Sequence, residues 1–240
     1  MAGPGPAAKA GPLLLAGGAE FDERMAPADR ALLALIGRPS PRLAVLPTAN
    51  ADHPEAAAAN GVAHFRSLGV EAEAVMITSR ARAGDPALAR QLALADCFYL
   101  AGGDPLRLLE VLRASLAWET LLQRWREGAG LGGSSAGAMA LCQAVYLRRQ
   151  WADGLGVVPG TAALPHFNLR RPDSVERVRA RVSERDVIGL GIDESTACIW
   201  SAGAWRAAGQ GQVHLLARDG VRTYTAGEAI SGLAQPAIPA

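Results

Sequence analysis

The segment LGGSSAGAMALC, residues 131–142, holds the side chain best suited to covalent chemistry. Gly133-Ser134-Ser135-Ala136-Gly137 fits G-x-S-x-G at the point where a short apolar run gives way to a helical one. A sharp strand-to-helix turn strains its central residue, and the chain tolerates this only beside very small neighbours. Gly132, Gly133, Ala136, Gly137 and Ala138 surround the serine, so the hydroxyl of Ser135 is expected to project as a nucleophile. Ser134 falls at the wrong spacing and is expected to pack beneath the turn. A glycine-rich phosphate cradle or a plain close-packed turn is the competing reading of the same residues.

A serine hydroxyl is inert at neutral pH without a base, usually a histidine held by a carboxylate. The chain has four histidines. His64 lies in a helical run, where capping a helix face is expected of it; His53 follows Thr48-Ala49-Asn50 at a strand end without an evident acid partner for a triad, and His214 sits in an apolar strand. His166 stands in Leu164-Pro165-His166-Phe167-Asn168, an irregular segment whose proline and aromatic can hold a ring firmly, and it is the favoured base. For the acid, Gly191-Ile192-Asp193-Glu194-Ser195-Thr196 places two carboxylates where an apolar strand exits, the end at which parallel sheets collect functional groups. Asp153 is a third choice. Ala101-Gly102-Gly103-Asp104 closes another strand, and its two glycines permit a backbone N–H to join that of Ala136 in holding an oxyanion. An esterase triad of Ser135, Asp193 or Glu194, and His214 is the first rival, and a ligand-binding module that keeps the turn as a relic is the second.

These residues need a sheet to bring them together, and the apolar pattern supplies one. Runs at 13–16, 43–46, 72–77, 97–100 and 131–133 read as strands, and 27–36, 54–68, 86–93 and 105–125 as helices, each with a proline near its start where the missing N–H costs nothing. The alternation predicts an α/β fold, a mostly parallel central sheet flanked by helices. Beyond it, 172–185 reads as a charged helix. Short strands at 187–192, 197–200, 205–208, 213–217 and 221–224, separated by glycine turns, predict a small antiparallel C-terminal extension of one mixed sheet. Residues 1–11 read as a flexible lead, 12–233 as one α/β domain and 234–240 as a flexible tail.

Composition removes several chemistries. Twenty-four basic against twenty-three acidic residues give a net charge of +1, which argues against a nucleic-acid or polybasic membrane surface. Lys9 is the only lysine, so a Schiff-base amine, a Walker P-loop and a Ser-x-x-Lys pair are excluded. Cys97, Cys142 and Cys198 stand far apart within apolar runs and read as reduced core thiols of a cytoplasmic protein. The histidines never fall at ligand spacing, so no metal and no cofactor is expected. No run approaches the ~18 apolar residues of a membrane span. The sequence neither requires nor excludes a homo-oligomer.

In order, LLLAGGAEF, LAVLPTAN, CFYLAGGDP, GGSSAGAM, GLGVVPG, LPHF and VIGLGIDESTA resemble the serine peptidase family of aspartyl dipeptidase (peptidase E) and cyanophycinase, from about Gly11 to Ile199. The resemblance implies a fold akin to class I glutamine amidotransferases and a Ser-His-Glu set in chain order: Ser135, His166 and Glu194. It implies Gly103 with Ala136 as oxyanion donors. Asp104, Arg170 and Arg171 are the candidates for substrate binding. Arg170 keeps the place of a family arginine, and either arginine could take a carboxylate bidentately. The chain departs from cyanophycinases at Leu164-Pro165, where those read Asp-Gln, and at Pro105, where they carry glutamine. These departures argue against a cyanophycin-type polymer as substrate. Peptidase E types share the Pro-His-Phe portion. The resulting expectation is a serine exopeptidase of dipeptidase or carboxypeptidase type, acting on small peptides with a free terminus or an acidic residue.

Overall fold

A computed structural model describes residues 10–147 and 149–239. Its elements in chain order are β1 (Leu13–Ala16), α1 (Ala26–Ile36), β2 (Arg42–Leu46), α2 (Pro54–Ser67), β3 (Glu71–Ala74), α3 (Arg80–Ala83), α4 (Pro86–Ala93), β4 (Cys97–Leu100), α5 (Pro105–Leu112), α6 (Leu116–Arg126), β5 (Gly130–Ser134) and α7 (Ala136–Leu141). There follow β6 (Ala144–Leu147), β7 (Gln150–Asp153), β8 (Thr161–Leu164), α8 (Pro172–Glu184), β9 (Ile188–Ile192), β10 (Thr196–Ser201), β11 (Ala204–Gly209), β12 (Val213–Ala217), β13 (Gly220–Tyr224) and β14 (Ala229–Ile230).

The main sheet has eight strands in the order β14-β11-β10-β1-β5-β4-β2-β3. From β1 to β3 all neighbours are parallel, and β10, β11 and β14 continue the other edge antiparallel. Strand β1 is the seam, with Leu13 opposite Leu131 on one side and Trp200 on the other. Its four residues are all fully buried because helices cover both faces, which is why it reads as an unbroken apolar run instead of an alternation. The α/β class with its mostly parallel centre is as expected.

Two features differ from the sequence reading. The antiparallel part does not finish one mixed sheet: β12 and β13 leave it and join β9 and β8 in a second sheet, order β13-β12-β9-β8, while β6 and β7 form a separate hairpin. The cause is the tight Asp193–Ser195 turn, where Ser195 has φ 56° and reverses the chain so that β9 and β10 serve different sheets. Likewise 105–125 is two helices. Arg113 is extended, Ala114 takes φ 49°, and Ser115 starts α6 by accepting from the Trp118 N–H.

The ends of the described chain are tied to the body. Gly11 N–H donates to Trp125 O and the Trp125 indole N–H donates back to Gly11 O, while residues 1–9 of the expected lead lie outside the described residues. In the expected tail, Ala237 N–H donates to Val157 O and Ala234 O accepts from the Trp205 indole. No described helix is long and apolar enough to cross a membrane.

Candidate active site

Ser135 sits between the last residue of β5 and the first of α7 with φ 47° and ψ −105°, the strained conformation its tiny neighbours predict. The need for those neighbours is steric. A Cβ at Gly133 would come 2.6 Å from the Gly137 carbonyl carbon, and one at Gly137 would come 2.3 Å from Leu100 O. The Ser135 N–H donates to Ala16 O at the end of β1, and the side-chain Oγ lies 3.0 Å from His166 Nε2.

His166 follows β8 in a left-handed conformation, φ 52° and ψ 41°. Its own N–H donates to Gly17 O, and its ring fills the space beside Gly18. Nδ1 stands 2.9 Å from Glu194 Oε1. With the carboxylate accepting from Nδ1–H, the Nε2 lone pair faces the serine hydroxyl. Glu194 is fixed in turn, because Asn168 Oδ1 accepts its N–H at 2.9 Å and the next residue, Ser195, donates its N–H to Gly18 O. Asn168 carried no signal in sequence beyond its place in the His166 loop.

The Ala101–Asp104 turn can be accounted for amide by amide. Ala101 N–H donates to Leu46 O, Gly102 N–H to Glu20 Oε1 at 2.9 Å and Asp104 N–H to Ala49 O. The N–H of Gly103 has no acceptor among the described residues, and neither has that of Ala136. Gly103 has φ 141°, and a Cβ there would meet Ala49 O at 2.3 Å. Glu20, which the sequence reading passed over, also accepts the Ser134 hydroxyl at 2.9 Å through Oε2. Ser134 is thus buried beneath the turn, as its spacing suggested.

The remaining candidates divide. Asp104 caps α5, its Oδ1 accepting from the Leu106 N–H. Arg171 is exposed at the start of α8 and pairs with Asp173. Arg170 is half-buried, its Nε meets no acceptor among the described residues, and desolvation pulls its pKa below the ordinary arginine value. Asp193 and His214 form their own pair at 3.3 Å, with the His214 ring also against Thr223 Oγ1 and Phe167, so the rival triad is not assembled around Ser135. Asp153 pairs with Arg185. His64, expected to cap a helix face, is instead buried against Asp29 at 2.8 Å.

A serine on a strained turn at the rim of a mostly parallel sheet, with an imidazole and a carboxylate in line behind it, defines the class: an α/β protein built like a serine hydrolase. The chain belongs to peptidase family S51, whose family model matches residues 13–207. It is 30% identical over 167 residues to a cyanophycinase of Synechococcus elongatus, covering 63% of this chain and 51% of that one. The match to a cyanophycinase of Trichormus variabilis is 27% over 218 residues, 85% of this chain and 72% of the relative. This chain therefore spans about half the length of the first of these relatives. Among solved structures, a peptidase from an acI-B1 Actinobacterium superposes with a TM-score of 0.82 at 29% identity, covering 94% of this chain and 98% of its own. A putative peptidase E protein from Listeria monocytogenes EGD-e, with TM-score 0.59 and 17% identity over 84% of this chain and all of its own, shares the fold.

Proposed function

We propose that the protein is a serine exopeptidase that hydrolyses small peptides through Ser135, His166 and Glu194. One observation carries this reading: the unbroken contact from the Ser135 hydroxyl through both ring nitrogens of His166 to Glu194, 3.0 Å and then 2.9 Å. Ser135 Oγ attacks the scissile carbonyl carbon and its proton passes to Nε2. The C–N bond breaks as that proton moves to the leaving amine. Water, deprotonated by the same nitrogen, then splits the acyl ester and restores the hydroxyl. Glu194 keeps the proton of the neutral ring on Nδ1 and stabilises the imidazolium between these transfers. The N–H groups of Gly103 and Ala136, which no acceptor among the described residues occupies, receive the oxyanion.

Arg170 gives the reading its substrate preference. A half-buried guanidinium without a carboxylate partner among the described residues favours an anionic ligand, and a peptide's terminal or side-chain carboxylate is the matching group. The curated relatives are named cyanophycinases. Leu164-Pro165 stands before His166 in place of the Asp-Gln pair that the resemblance gives to cyanophycinases, and the loss of those polar groups supports short peptides over a cyanophycin-type polymer. Asp104 serves the fold as a helix cap and contributes to binding only through its second carboxylate oxygen, and Arg171 through an exposed guanidinium.

The test is covalent labelling with a small fluorophosphonate followed by intact mass and peptide mapping, alongside a panel of dipeptides and tripeptides with free and blocked termini. The expected result is one adduct on Ser135 and turnover restricted to peptides with a free terminus. A chain that neither takes the label nor cleaves any member of the panel refutes the proposal and favours a ligand-binding role.

A further inference from the structure

The turn after β1 touches every part of the site. Ala16 O accepts from Ser135, Gly17 O from His166 at 2.7 Å and Gly18 O from Ser195 at 3.2 Å. Glu20 reaches the other side, taking the Gly102 N–H on Oε1 and the Ser134 hydroxyl on Oε2, each at 2.9 Å. A Cβ at Gly102 would fall 2.2 Å from Glu20 Oε1, so the carboxylate approaches this amide only because residue 102 is glycine. Both neighbours of Glu20 lie in the left-handed region although neither is glycine: Ala19 has φ 56° and Phe21 φ 66°. Such backbone is strained and survives only where surrounding contacts over-determine it. Phe21 supplies part of that hold, with its ring 5.7 to 6.1 Å from those of His64, Phe65 and Tyr99.

We propose that Glu20 is a positioning residue that sets the distance between nucleophile and oxyanion donor. One carboxylate ties the residue before Ser135 to the residue before Gly103, so the elbow and the glycine turn cannot drift apart. The inference rests on the proposed roles of Ser135 and Gly103. Glu20 acts through the reach of its two oxygens, so span matters more than charge. Glu20→Gln keeps an acceptor for Gly102 and a polar partner for Ser134. Glu20→Asp keeps the charge but is one methylene too short to hold both.

The decisive measurement is the rate of Ser135 phosphonylation by a small fluorophosphonate, resolved into maximal rate and half-saturating concentration, with thermal melting of each variant. E20Q is expected to stay within about threefold of the unaltered protein, whereas E20D loses about 10- to 100-fold in maximal rate at an unchanged half-saturating concentration. Ser134→Ala, which cuts the same tie from the other side, is expected to slow labelling by about tenfold and keeps the test open if E20D melts early. Labelling of E20D and S134A at the unaltered rate overturns the inference, as does an E20Q variant no faster than E20D. In those cases the unaltered protein still takes the label, so the nucleophile assignment stands. An unaltered protein that never takes it overturns that assignment, and this inference with it.

Discussion

The imidazole of His166 occupies the space that a side chain at Gly18 would need: a Cβ there would fall 2.2 Å from the ring's Cε1 and 2.6 Å from Nδ1. Gly18 also has φ 125°, a conformation open to glycine and strained for other residues. Gly18→Ala should therefore push the ring off the line between Ser135 and Glu194. Peptide turnover and fluorophosphonate labelling should fall by about 100-fold or more, the cost of misplacing a catalytic group by about an ångström. The melting transition should remain cooperative, since the displaced ring is itself partly exposed.

Replacing the histidines one at a time separates the two triads that the sequence allowed. His166→Ala should lower turnover by about four orders of magnitude or more. His214→Ala removes a ring held by Asp193, Thr223 and Phe167, away from the nucleophile, and should change turnover by less than about tenfold while lowering thermal stability. Inactivity confined to the His214 variant would falsify the assignment.

Arg170 tests the preference for an anionic substrate. Arg170→Met keeps much of the buried stem and removes the charge. It should raise KM about 10- to 100-fold for peptides with a free carboxylate, in line with about 1.5–3 kcal/mol for a charged hydrogen bond. KM for the matching amides should barely move. Equal effects on both series would mean that the guanidinium serves packing instead.

All three cysteines are fully buried. Burial pushes the Cys142 thiol up to about 12 and raises those of Cys97 and Cys198 as well, so none supplies thiolate at neutral pH. Iodoacetamide should leave the native protein unmodified and alkylate three residues per chain in guanidinium, read by intact mass.

Asp29 is fully buried beside His64, and desolvation raises its carboxyl above the usual range. The folded chain therefore holds this proton to higher pH than the unfolded chain, whose aspartate titrates near about 3.9. Its contribution to stability is complete at low pH and is lost as pH rises through the raised value. Asp29→Asn abolishes that titration. Urea midpoints should thus show the unaltered protein losing stability relative to D29N as pH rises above about 4. A pH-independent difference would show that Asp29 titrates alike in both states.

What the sequence revealed were features written in neighbouring residues. Gly133, Ala136 and Gly137 announce the serine turn because only small side chains fit there, and Pro86 and Pro105 mark helix starts to the residue. The break at Ala114 was also local: Ser115 is an ordinary helix cap, and it was hidden by a continuous apolar pattern. Other features depend on partners far along the chain. Glu20 contacts Gly102 and Ser134 across 82 and 114 positions, and the Asp29–His64 pair spans 35. Neither has a periodicity to betray it. The division into separate sheets hinges on the left-handed Ser195, a conformation that no composition rule assigns to serine.

Strand β1 lies between β5 and β10, and Leu13 pairs with both Leu131 and Trp200. A ribosome delivers the first of these partners long before the last. A nascent chain that has exposed Ser135 still lacks Glu194, and the Gly18 carbonyl still awaits the Ser195 amide. Pairing across so wide a sequence interval is slow to form and closes late in folding. The proposed catalytic set is thereby complete only after β9 and the Asp193–Ser195 turn have been made, late in the chain.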